Sequence, residues 1–183
     1  MKKLVFPFLA ALLLLAGAGS ALMNCKSSTT VLTEQALERQ NKVRAIDDSV
    51  IQAYLGRHNY GSGSYTRTES GLYLVPLVKN PSGLVAATGK QVVVQYVGKF
   101  VQQSREDLIF DSSFTGKTLC NCGTFTVGTN MIAGWIQGLP LMHEGERNLL
   151  FVPSYLAYGQ AGSASIPGDT PLLFDMEITK VSQ

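Results

Sequence analysis

VGTNMIAGWIQGLPLMHEGERNLLFVPSYLAYGQAGSASIPGDTPLLF, residues 127–174, strings single aromatic and branched side chains between glycines and turns. Side chains so spaced line a cavity. The only tryptophan, Trp135, lies in GWIQGL, a short amphipathic helical run that Pro140 helps to end, and Gly134 beside it lets neighbouring backbone come close. Around that flat floor stand Ile132 just before the helix, Tyr158 in a YG turn, the Ile166-Pro167 pair in a glycine-rich loop, and Phe174 in an alternating strand. Together they predict a small apolar bowl with a few polar groups at its edge.

Working outward, VQYVGKF (94–100) adds an aromatic strand residue, Tyr96, and IFDSSF (109–114) adds the Phe110-Asp111 pair. TESGLYLVPLV (68–78) reads as a strand, NPSG (80–83) as a turn and KQVVVQYVGKF (90–100) as a buried strand. TFTV (124–127), RNLLFV (147–152) and PLLFDMEITKV (171–181) read as further strands. Helical crossovers are too few for a parallel sheet, so the fold class is α+β, an antiparallel sheet wrapped on one short helix. From about Thr33 to Gly56, Val43, Ile46, Val50 and Tyr54 recur at steps of three and four, the period of an amphipathic helix. NYGSGSY (59–65) reads as a flexible connector after it.

The ordered set Tyr-x-Gly, Phe-Asp-Ser-Ser, Ile-x-Gly-Trp, Gly-Glu, Ala-Tyr-Gly, Ile-Pro and Leu-x-Phe-Asp resembles the FKBP family of peptidyl-prolyl cis-trans isomerases over roughly the last hundred residues. The resemblance implies a curved half-barrel and assigns Tyr96, Phe110, Trp135 and Phe174 to a pocket gripping a proline ring, with Met131 and Ile132 at its edge. It implies that the Ile132 backbone N–H and the Tyr158 hydroxyl bond substrate carbonyls. Asp111 would sit near the rotating carbonyl, and Ile166 would cover the site. Asp111 and Tyr158 are thus the expected catalytic pair, and the implied partners are proline-containing polypeptides and macrolide inhibitors. Taken singly, each residue has a plainer reading. Trp135, Tyr96, Phe110 and Phe174 default to core, Asp111 to a side-chain turn bond with Ser112 or Ser113, and Tyr158 to a turn filler.

Two departures from the family pattern carry expectations of their own. FVQQSREDLIF (100–110) forms a longer polar bulge between Tyr96 and Phe110. Gly123 stands where many members carry an aromatic, which implies a thinner pocket wall.

The N-terminus has the layout of an export signal: Lys2 and Lys3, an apolar run from Leu4 to Ala16, then small residues. That run is too short for a comfortable membrane span. Leu22-Met23-Asn24-Cys25 resembles a bacterial lipoprotein cleavage site, although Asn24 stands where Gly, Ala or Ser is usual. Ordinary cleavage after Ala18 or Ala21 competes with it. The Ser/Thr-rich KSSTTVLT that follows suits a tether from a lipidated Cys25 to a membrane. The expected organisation is a signal peptide over 1–24, a tether, helix and connector over 25–65, and an isomerase domain over 66–183. The arm is short, so a monomer is expected rather than a dimer.

Cleavage before Cys25 leaves 13 basic residues against 13 acidic ones. With charges interspersed and no phosphate-cradling loop, no nucleic-acid partner is expected. Cys120 and Cys122 form a C-N-C pair that admits a strained bridge, a loop clip or two free thiols. The two histidines, His58 and His143, stand far from these cysteines, so no metal or cofactor is expected. No nucleophile elbow or paired-carboxylate set appears either. Two functions remain: a prolyl isomerase assisting exported proteins, or a catalytically weak chaperone or binding module for proline-containing segments.

Overall fold

A computed structural model describes residues 28–106, 108–114 and 123–182. Helix α1 spans Ser28–Arg57, followed by strands β1 (Thr66–Arg67), β2 (Tyr73–Val78), β3 (Gln91–Phe100), β4 (Ile109–Ser112) and β5 (Gly123–Thr126). Then come the short helix α2 (Ala133–Gly138), strand β6 (Arg147–Val152) and strand β7 (Leu172–Val181). All strand pairs are antiparallel, in the order β1-β2-β6-β7-β3-β4, and β5 also pairs with β3. This is the expected α+β fold with an N-terminal helix and one short helix. Cys25, Cys120 and Cys122, together with the export signal, lie outside the described residues.

The sheet buries both faces. On one side Leu150 and Val152 of β6 join Leu172, Phe174, Met176 and Ile178 of β7 in a core with Trp135 and Leu139. On the other, Leu149, Phe151 and Leu173 pack with Ile51, Tyr54 and Leu55 of α1. Successive strand residues point to opposite faces. Leu149–Val152 of β6 are therefore all apolar, because helices cover that stretch on both faces. Each buried Ile or Leu contributes about 1.5–3 kcal/mol, so the C-terminal half of α1 is held by packing rather than by propensity.

The buried stripe on α1 is rotated by about one residue from the expected one: Tyr54 is shared, Val43 and Val50 are half-buried at its edge, and Ile51 and Leu55 lie at its centre. Ile46 is 49% exposed, whereas Asp47 beside it is buried. The face turned to the sheet runs through 47, 51, 54 and 55, and its carboxylate finds donors on Ser154: the backbone N–H and the hydroxyl each reach Asp47 Oδ2 at 2.7 Å. The connector is flanked by two rings that face inward, while 61–64 between them are exposed. Tyr60 and Tyr65 pack on the second core, and the Tyr65 ring lies 5.4 Å from that of Tyr73. The polar bulge after β3 folds back onto the end of α1, where Arg57 donates to Glu106 at 2.7 Å and to the Val101 carbonyl at 3.4 Å.

The site is placed by how closely α2 lies on β6. A Cβ on Gly134 would stand 2.3 Å from Val152 Cγ1, and one on Gly138 would stand 2.7 Å from Leu150 Cδ2. With hydrogen at these two positions, one turn apart, the helix settles directly on the strand. Its start lies at Ile132, whose carbonyl accepts from the N–H groups of Trp135 (3.0 Å) and Ile136 (3.2 Å), and Pro140 sits in the 3-10 turn Leu139–Leu141 that closes it.

Candidate active site

Four rings meet edge to face above α2. The Trp135 ring centre lies 5.0 Å from that of Tyr96, 5.3 Å from Phe174 and 5.2 Å from Phe125, with interplanar angles of 90°, 81° and 74°. Such pairs add about 0.5–1.5 kcal/mol each beyond their area, so the cluster is stiff. Trp135 and Phe174 are 5% and 4% exposed, which makes them the floor. A cavity of about 120 Å³ opens over them, lined by Tyr96, Asp111, Phe125, Met131, Ile132, Tyr158 and Phe174 among others. It is smaller than the roughly 300–1,000 Å³ of drug-sized ligand sites and suits a compact ring.

Most of the residues singled out in the sequence come together here, from β3 (Tyr96), β4 (Asp111), the approach to α2 (Met131, Ile132), α2 (Trp135), the segment after β6 (Tyr158) and β7 (Phe174). Two stand back from the opening. Phe110 packs behind Phe174, its ring 5.6 Å away and perpendicular, and also meets Phe100 at 5.4 Å. Ile166 is buried in the same core and holds its loop by a bridge to Ser163.

Phe125 is the wall residue that the sequence reading passed over. A Cβ on Gly123 would lie 2.4 Å from Cε2 and Cζ of Phe125, so that ring occupies the space over Gly123. The thinner wall expected from Gly123 is absent: an aromatic two residues along the same strand face fills it.

The polar groups divide into bonded and free. The Tyr96 hydroxyl donates to Asp111 Oδ2 at 2.7 Å, and the Ser112 N–H donates to Asp111 Oδ1 at 2.8 Å. Asp111 thus satisfies the turn and fixes Tyr96 at once. Burial first, and then the Asp111 carboxylate, push the Tyr96 hydroxyl well above the ordinary phenol range, so it remains a donor. The Ile132 N–H and the Tyr158 hydroxyl make no hydrogen bond among the described residues, and Tyr158 is 38% exposed. Two residues that line the cavity therefore carry donors that are unpaired among the described residues. Among the described residues no group of His, Cys, Asp or Glu is arranged to hold a metal ion.

A larger cleft of about 490 Å³ runs between α1 and residues 155–169. Leu37, Val43 and Tyr155 line it beside mixed polar groups, without the ring cluster. Among the described residues no helix is long and apolar enough to cross a membrane.

A family model described as FKBP-type peptidyl-prolyl cis-trans isomerase matches residues 84–179. Peptidyl-prolyl cis-trans isomerase FKBP15-1 of Arabidopsis thaliana is 36% identical over 124 residues, covering 66% of this chain and 74% of that protein. The macrophage infectivity potentiator of Trypanosoma cruzi is 27% identical over 165 residues, covering 89% and 79%. The crystal structure of FkpA from Escherichia coli aligns with a TM-score of 0.62 at 26% identity, covering 85% of this chain and 73% of that one. The chain spans only 6% to 34% of the length of three further curated relatives.

Proposed function

Because the chain belongs to the FKBP-type peptidyl-prolyl cis-trans isomerase family, we propose that it speeds rotation about the peptide bond preceding proline in exported polypeptides. The observation that carries this is the pairing of a cavity walled by aromatic rings with two donors, Ile132 N–H and Tyr158 O–H, that are unpaired among the described residues.

The uncatalysed step is held by amide resonance, a barrier of about 20 kcal/mol. No bond has to break. At the twisted transition state the C–N double-bond character is lost and the amide dipole shrinks, so a dry site favours that state over the planar ground state. Trp135, Phe174, Tyr96 and Phe125 hold the proline ring. Ile132 and Tyr158 hold neighbouring substrate carbonyls, so that only the bond between them turns. Asp111 keeps Tyr96 upright and presents its carboxylate toward the rotating carbonyl, while Phe110 supports the floor and Ile166 the loop. A macrolide carrying a proline-like ring would occupy the same cavity.

On this reading the chain is exported and a monomer, the signal peptide ends at residue 24, and Cys25 carries a lipid that tethers the domain to a membrane. The likeness to FkpA and the apolar run Leu4–Ala16 support the export reading. A second reading, a binding module for proline-containing segments with little turnover, draws on the larger cleft beside α1.

The test is the isomerisation rate of a short Xaa-Pro peptide with wild type, Trp135→Leu and Asp111→Ala. Isomerase action in this cavity predicts a loss of about tenfold or more in both variants. Unchanged rates in both would reject the site, and an inactive, folded wild type that still binds the peptide would favour the binding module.

A further inference from the structure

Tyr158 belongs to a segment that leaves β6 and returns to β7, and that segment is pinned to α1 at both of its ends. At the near end Asp47 Oδ2 accepts from the Ser154 N–H and hydroxyl, each at 2.7 Å. At the far end Arg39 donates to Asp169 at 2.5 Å. Between the pins the segment is closed by its own bonds. Gly159 N–H donates to the Ser154 carbonyl at 2.8 Å, Gly162 N–H to the Tyr158 carbonyl at 3.2 Å, and Asp169 N–H to the Gly159 carbonyl at 2.8 Å. Asp47, Ser154, Gly159, Asp169 and Arg39 thus form one closed circuit through two positions of α1 about 12 Å apart. The cleft of about 490 Å³ opens along it, and between the pins Arg44 lies over the Tyr155 ring at 4.1 Å, so α1 holds this stretch through a few discrete contacts.

The chemistry of Asp47 argues against a purely structural role. Its Oδ1 is buried without a partner among the described residues. An unsatisfied buried carboxylate oxygen is costly, and an apolar residue at the same helical position would avoid that cost. What the carboxylate supplies instead is direction, because it accepts two bonds from the residue that begins the turn toward Tyr158.

We propose that α1 positions the Tyr158 hydroxyl, with Asp47 and Arg39 as positioning residues that act on the substrate through Tyr158. This rests on the reading that Tyr158 donates to a substrate carbonyl. The helix is then part of the isomerase rather than an appendage, and its contribution passes through one hydroxyl.

A double-mutant cycle on kcat/KM tests it. Asp47→Ala should lower kcat/KM about threefold to tenfold, with Asp47→Asn recovering most of the loss through its remaining acceptor. Arg39→Ala, which breaks an exposed pair, should lower it about twofold. In a Tyr158→Phe background none of these should lower it further, because the group they position has gone. Equal losses in both backgrounds would overturn the proposal. Amide exchange gives a readout free of activity: Asp47→Ala should speed exchange at Gly159 and Asp169 while β3 and β7 stay protected. Unchanged exchange there overturns the clamp, whether or not the protein is an isomerase. A wild type without isomerase activity defeats the functional reading instead, and exchange alone then decides the clamp.

Discussion

Gly134→Ala sets two magnitudes against each other. Helix propensity alone favours alanine by about 1 kcal/mol in a helix interior. Packing opposes it, because the new Cβ would stand 2.3 Å from Val152 Cγ1 and 2.9 Å from Cγ2. Carbon atoms rest at about 3.5–4.0 Å, so the contact needs roughly 1.2 Å or more of relief. Val152 cannot provide it by rotation, since it is β-branched and presents both γ-carbons to the helix. The helix must lift, at an overpacking cost of about 1–3 kcal/mol. With the 2.3 Å approach placing the cost toward the upper end of that range, packing should win, leaving a net loss of up to about 2 kcal/mol and a Tm lower by up to about 8 °C. Because Trp135 is the next residue, the floor moves with the helix, and a shift of about 1 Å can cost as much as 100-fold in catalysis. Thermal unfolding and the peptide isomerisation rate together check this. A Tm at or above wild type would refute the packing argument. A lowered Tm with an unchanged rate would refute Trp135 as the floor of the working site.

Other outcomes follow from the same structure. Phe125→Ala should open the wall and lower kcat/KM, and Gly123→Ala should do so to a lesser degree by displacing the Phe125 ring from its seat 2.4 Å away; unchanged kinetics in both would remove Phe125 from the pocket. Burial holds the Asp47 carboxyl above the usual carboxylate range, with the Ser154 donors only partly offsetting it. The folded chain therefore keeps that proton to higher pH than the unfolded chain, and this group's contribution to stability falls as pH rises from the ordinary carboxylate value through the raised one. Urea midpoints across that interval should decline more for wild type than for Asp47→Asn, and equal slopes would contradict the assignment.

The central strands were legible because the valine run of β3 and the alternating apolar residues of β7 both suit a pleated, buried strand. What hid was information carried by distant partners. The stripe on α1 places either Ile46 or Asp47 against the sheet by period alone, and hydrophobicity favours Ile46. The choice falls to Asp47 because Ser154, more than a hundred residues away, offers two donors. Likewise Arg39 and Asp169 are 130 positions apart, with no local pattern to pair them. Phe125 had a signal that went unused. Glycine and phenylalanine two residues apart in a strand share a face, and a ring can lie over the missing side chain. At the pocket, the order of motifs indicated which residues converge, whereas the setback of Phe110 and Ile166 from the opening depends on packing depth, which spacing does not encode.

The most direct measurement is the cis-to-trans conversion rate of a short Xaa-Pro peptide with the protein present, repeated with a macrolide that fills pockets of this family. Acceleration that the macrolide abolishes is the predicted result, tying the activity to the ring cluster around Trp135. A folded protein that leaves the rate at its uncatalysed value, or whose acceleration the macrolide does not touch although it binds in the cavity, would contradict it.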